Sequence, residues 1–237
     1  MKVALVRVGI DAGAGGIQAP LFEDGTFEYL PIPDGFGLDP RTYGNSVGRR
    51  GRPLVDYFPS RLQGRMAGQA MHVDPEFGTF TYGDPSVPKS GLRHLRPGDL
   101  LVFFCGLEGW DHLAAPALYL LGYFEVAAAG RAHDFTERER HELFGENFHV
   151  RHECIYRQQE DRLVLVKGSP DSRLFERAVA ISEPGWTRTG KPLKVLSLEM
   201  QAIFVGFDGR LSFQRSPTRW VDPAFVERAA AFVRSLR

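Results

Sequence analysis

Cysteine is nearly missing from this chain of 237 residues, with only Cys105 and Cys154 present. Two thiols cannot build the disulfide framework of a small secreted domain, and both are read as buried and free. Charge of one sign is not in excess either. Lys plus Arg and Asp plus Glu each number 29, so no global field draws the chain onto nucleic acid. No apolar run reaches the roughly 18 residues that span a bilayer. The opening stretch MKVALVRVGIDAGAGG has too short an apolar run, and no suitably placed cleavage site, for a signal peptide. The expectation is a cytoplasmic protein. Familiar site motifs are lacking too: the glycines of DAGAGG (11–16) fit neither G-x-G-x-x-G nor the Walker pattern, and H-E-x-x-H does not occur. A dinucleotide-binding unit and a standard zinc protease are thereby set aside.

What remains has the composition of an ordinary globular protein, 43% hydrophobic and 24% charged. KVALVRVGI reads as a buried first strand. GDLLVFFCGL (98–107) and ALYLLGYFEVAAA (117–129) read as an antiparallel pair, and RLVLVKG (162–168) as a further strand. MQAIFVGFDGRLSF (200–213) suggests a hairpin turning at Asp208-Gly209. Helices are expected at TERERHELFG (136–145), where Thr136 and Glu139 form a capping box, at SPDSRLFERAVAI (169–181), and at the C-terminus from Asp222 onward. Nine of the 16 prolines fall between Pro31 and Pro97, where no long periodic segment appears. That stretch is punctuated by aromatic residues, so it reads as ordered loops wrapped over a sheet. The order of elements favours an α+β class: one domain over 1–237, with a mixed, mostly antiparallel, barrel-like sheet and a few peripheral helices.

Chemistry concentrates in four places. DPEFGTFTYGDP (74–85) joins carboxylates to rings, and its Asp74, Glu76, Tyr82 and Asp84 suit a base pocket: carboxylates accept from exocyclic amines and rings stack. YGNSVGRRGRP (43–53) sets Arg49, Arg50 and Arg52 among glycines, which lets the backbone approach a phosphodiester. In ENFHVRHEC (146–154), Asn147, His149 and Arg151 would alternate on one strand face and hold a base and its phosphate. Asp84 or His149 would serve as general acid or base. The same segment, with His149, His152 and Cys154, also permits a metal site, although no partner pair at finger spacing exists and no metal ligand set is assigned. Ser172 and Arg173 lie at what reads as a helix start suited to an anion. Each segment has an ordinary structural explanation as well: a turn, a basic loop, a solvated strand face, an N-cap.

Taken in order, KVALVRVGID, PLFEDGTFEYLPIP, DPEFGTFTYGDP, LRPGDLLVFFCGL, LYLLGYFEV and KGSPDSRLFERAVAIS resemble the third of the numbered nucleotide modification associated domain families, over nearly the whole chain. RPGDLLVFFCGL and LYLLGYFEV also look like the Gly-Asp strand and returning strand of PUA-like, EVE and ASCH domains, small barrels that bind RNA or modified bases. The first resemblance implies a role in making or handling hypermodified bases in bacteria and phages, without a catalytic set to carry over. The expected function is a protein that modifies or reads a base in nucleic acid or a nucleotide, the base held by loop 74–85 and phosphate by arginines. The alternative is a soluble metal-dependent hydrolase or other small-molecule enzyme built on the His149–Cys154 segment. Cofactor and oligomeric state stay open.

Overall fold

Residues 3–7 and 100–109 are apolar at nearly every position, which calls for strands covered on both faces. Successive strand side chains point to opposite sides. Ala4, Val6, Leu101 and Phe103 enter one core, whereas Val3, Leu5, Leu100, Val102 and Phe104 enter a second. This computed structural model describes residues 1–11, 13, 15–205, 213 and 217–237.

In chain order the strands are β1 (Val3–Arg7), β2 (Ala19–Leu21), β3 (Ile32–Pro33), β4 (Met71–His72), β5 (Thr81–Asp84), β6 (Leu100–Gly109), β7 (Ala117–Arg131), β8 (Val164–Gly168), β9 (Arg173–Ala180), β10 (Ser182–Trp186), β11 (Pro192–Leu196) and β12 (Arg219–Trp220). The helices are α1 (Ser60–Met66), α2 (Glu137–Phe144), α3 (Phe148–Arg151), α4 (Glu153–Gln159), α5 (Leu198–Phe204) and α6 (Val226–Ser235). The main sheet runs β12-β1-β6-β7-β8-β5, with β2 added on β6 and β9 on β7. β1 and β2 lie parallel to β6, and the other pairings in that sheet are antiparallel. The α+β, mostly antiparallel expectation therefore holds. The strand path has two ends and does not close, so the sheet is not a closed barrel.

The turn before β6 shows how local chemistry sets the register. Gly98 takes a φ of +87°, and Asp99 accepts from the backbone N of Lys2 at 2.7 Å and of Arg96 at 2.8 Å. A buried carboxylate thus ties the start of β1 to the start of β6. Residues from the proline-rich stretch, among them Tyr43, Tyr57, Phe58 and Met66, pack on the first core. α5 and α6 cover the second through Met200, Phe204, Val226, Ala229 and Val233. The capping box of α2 forms as expected, with Thr136 Oγ1 accepting from Glu139 N at 3.2 Å.

Three expectations fail. Residues 173–180 form strand β9, not a helix: Ser172 N donates to Ser169 O in a tight turn, and Tyr123 and Tyr119 of β7 pair with Arg173 and Ala180. Pairing with a long open strand overrides the helical propensity of RLFERAVA. Residues 148–151 form a short helix rather than a strand, because Asn147 caps it by accepting from His149 N at 3.1 Å. Leu198–Phe204 is helical, capped by Ser197, and the turn expected at Asp208-Gly209 lies outside the described residues. Of the two thiols, Cys105 is buried as expected and Cys154 is exposed.

Candidate functional site

The end of β4, the strand β5 and the start of α3 meet around a cavity of about 300 Å³. Its lining includes Arg7, Phe36, His72, Asp74, Tyr82, Asp84, Lys89, Phe148, His149 and Gln159. Val73 packs toward the core, so His72 and Asp74, two positions apart, both turn to the cavity. β5 then presents Tyr82 and Asp84 by the same alternation. Gly83 between them permits close approach: a Cβ there would lie 2.8 Å from His149 Cδ2 and 2.9 Å from Asn147 Oδ1.

Asp74 is the hub. Its carboxylate accepts from Gly83 N at 3.1 and 3.2 Å and from Asn147 Nδ2 at 3.2 Å, and Oδ2 lies 3.5 Å from His149 Nε2. Burial pushes its pKa up, against the pull of His149 and Gly83. Asp84 is pushed the other way. Burial would raise it, but the Lys89 ammonium at 2.8 Å and the Ser86 hydroxyl and amide hold its carboxyl below the usual range. Tyr82, buried, donates its hydroxyl to Asp84 at 3.0 Å. Its pKa lies well above that of a free phenol because of burial and the two nearby carboxylates. His72 stacks on Phe148 with ring centroids 4.0 Å apart. Burial, assisted by His149, pulls its pKa down to about 3. At neutral pH the His72 ring is therefore uncharged.

His149 Nε2 lies 3.2 Å from His72 Nε2, and its Nδ1 lies 2.7 Å from Gln159 Oε1 at the end of α4. A carbonyl oxygen only accepts, so Gln159 places the proton of the neutral ring on Nδ1 and leaves the Nε2 lone pair facing the cavity. Among the described residues, one group of His, Cys, Asp and Glu side chains is close enough to share a metal ion: His72, Asp74 and His149. Cys154 is not part of it.

Of the residues singled out from sequence, the fold brings together Asp74, Tyr82, Asp84 and His149, with Asn147 behind them as a hydrogen-bonding support. The others stand elsewhere. Glu76 pairs with Arg41 at 2.6 Å and lines a separate depression together with Arg49. Arg49 donates to Phe175 O at 3.0 Å, Arg50 pairs with Asp24 at 2.6 Å and covers the Phe22 ring, and Arg52 lies 3.7 Å from Asp56. Arg151, from the expected row, turns to Asp39. Ser172 is buried and accepts from Glu125 N at 3.1 Å, and Arg173 lies over the Tyr123 ring. No helix begins at those two residues, so the reason for expecting an anion there is gone. His72, Lys89 and Gln159 were not singled out. Only His72 left a signal, its two-residue spacing from Asp74.

The fold and cavity define an α+β protein with an open recess that gathers imidazoles, carboxylates and an ammonium. The family model described as nucleotide modification associated domain 3 matches residues 2–235, and the chain belongs to that family. Searches of curated proteins and of solved structures return no match. The family supports a role associated with nucleotide modification. Among the described residues no helix is long and apolar enough to cross a membrane.

Proposed function

We propose that the chain binds the base of a nucleotide, free or within nucleic acid, in the cavity beside β5 and modifies it there. One observation carries this reading: two carboxyl groups in one recess, Asp74 and Asp84, have pKa values driven in opposite directions. Divergent environments for paired titratable groups are the usual basis of an acid–base division of labour. Asp84 stays ionised, so it accepts a hydrogen bond from an amino or ring N–H of the base, and takes the proton when the reaction releases one. Phe36, 49% exposed at the cavity, offers a ring face for stacking. Arg7, paired with Asp11 at 3.2 Å, and Lys89, paired with Asp84 at 2.8 Å, also line the recess, so a phosphate at its mouth would have to share them with these carboxylates.

The test is to measure binding of the common nucleotides and of short DNA by calorimetry, then to digest incubated DNA to nucleosides and weigh the products by mass spectrometry. Wild type is expected to bind, and Asp84→Asn to lose product and at least about tenfold in affinity, the worth of one charge-assisted hydrogen bond. Binding that persists in Asp84→Asn with no product from either protein would mark a reader of bases rather than a modifying enzyme. Failure of wild type to bind any of these ligands would sink the proposal.

A further inference from the structure

We propose that His72, Asp74 and His149 bind a divalent first-row transition-metal ion, leaving coordination positions open to the cavity. The site goes beyond the base-binding reading and does not depend on it.

The donor atoms already stand at ligand spacing. Nε2 of His149 is 3.2 Å from Nε2 of His72 and 3.5 Å from Oδ2 of Asp74, and the three side chains offer ligand atoms within 4.8 Å of one another. Four ligands held about 2.1 Å from a tetrahedral ion sit roughly 3.4 Å apart, and cis ligands of an octahedral ion about 3.0 Å. The two measured separations from His149 fall around these values.

The orientation of the rings points the same way. Gln159 Oε1 engages His149 Nδ1 at 2.7 Å, which turns Nε2 toward His72 and Asp74. His72 stacks on Phe148 with ring centroids 4.0 Å apart, which fixes the plane of its ring at the cavity wall. Asp74, its side chain buried, accepts from the Gly83 amide and the Asn147 side chain, and its Oδ2 lies 3.5 Å from His149 Nε2. Lys89, the nearby ammonium, is taken by Asp84. Three ligand atoms therefore converge on one point of the recess, and a divalent ion there engages all three.

The outer contacts are those a ligand set requires. Gln159 orients one imidazole and Asn147 one carboxylate, as second-layer partners of metal ligands do. Two imidazoles and one carboxylate with open positions suit iron(II), zinc or manganese rather than calcium or magnesium, which prefer oxygen. Asp84 and Tyr82 line the same recess, so a water or substrate oxygen held on the ion would lie within it. With the ion present His149 serves as a ligand, and proton transfer falls to Asp84.

Cobalt(II) is the probe. After chelation with EDTA and removal of the chelator, the full chain is titrated with cobalt(II) under nitrogen and followed by visible absorption and by elemental analysis. About one equivalent with ligand-field bands is expected. His72→Ala and His149→Ala should each weaken binding at least about 100-fold, and Gln159→Ala, which keeps all three ligands, about 10- to 100-fold. Circular dichroism confirms folding, and His→Gln variants replace any alanine variant that melts. No saturable equivalent in wild type overturns the site, as does an equivalent whose affinity is unchanged in the histidine and Gln159 variants alike. Cobalt uptake without nucleotide binding leaves the ion site standing and removes only the function proposed above; nucleotide binding without cobalt uptake does the reverse.

Discussion

Gly83 has less room for a side chain than Gly9, the other glycine lining the cavity: 2.8 Å to the nearest atom against 3.0 Å. Its missing side chain is what allows β5 to lie against His149 and Asn147, and an added methyl would meet both at under 3.0 Å. Gly83→Ala is therefore expected to push the imidazole and the Asp74–Asn147 contact apart. The cost in stability should be about 1–3 kcal/mol, as for other overpacked sites, with ligand affinity falling further than the melting temperature suggests. Thermal melts read beside a binding titration check this, and equal affinity in the two proteins would count against the geometry. At this scale the sequence was informative where side chains alternate along an extended run. Tyr82 and Asp84 came to one recess because β5 is a strand, and Asp74 joined them two positions beyond His72. Lys89 and Gln159 gave no sign, since their roles arise only once distant segments meet.

Elements are held to one another by buried charge. Asp39, fully buried at its side chain, pairs with Arg41 at 3.0 Å and also with Arg151 of α3. It thus fastens the proline-rich stretch to the helix that carries His149. Burial works to raise its pKa, but the two guanidinium groups prevail and hold it low. A carboxyl with a lowered folded pKa adds stability above its unfolded value, near 3.9, and loses it as pH falls through the folded value. Asp39→Asn should cost about 2 kcal/mol at neutral pH. That is less than the 3–5 kcal/mol of a fully buried pair, because the arginines keep 32% and 26% of their side-chain exposure. Urea unfolding of both proteins from pH 7 to 3 is the check: the gap should be constant down to about pH 4 and shrink below it. A gap that widens in acid would contradict the assignment.

Two of the misread elements belong to this scale as well. Ser169 and Pro170 have the look of a helix start, and only the free edge of β7 decides for a strand at 173–180. Asn147 was legible as a polar residue and not as a cap, because a four-residue helix leaves no periodicity to read.

At the scale of the whole molecule, one sheet carries a core on either side, and the apolar runs of β1, β6 and β7 announced it in the sequence. Phe124 of β7 links that sheet to the site. Its ring meets those of Phe77, Phe80 and Phe103 at 5.5, 5.8 and 4.6 Å, and the first two belong to the bend that leads into β5. Phe124→Ala should therefore cost about 3–5 kcal/mol and loosen the recess as well, giving a lower denaturation midpoint together with weaker binding. A loss of unfolding free energy below about 1 kcal/mol would show that the rings pack around the gap without loss. The openness of the sheet was not legible, because closure depends on where the last strands fall rather than on any local pattern.

The parallel pairing of β1 with β6, Val3 opposite Leu100 through Arg7 opposite Phe104, has an outcome for chain integrity. Everything from residue 8 to residue 99 leaves from one strand and returns to its immediate neighbour, so the His72, Asp74 and β5 side of the recess is hung between two anchors that touch. A protease nick in an exposed bend of that excursion would sever the polypeptide without separating its pieces, and the halves would travel as one particle until the sheet itself came apart.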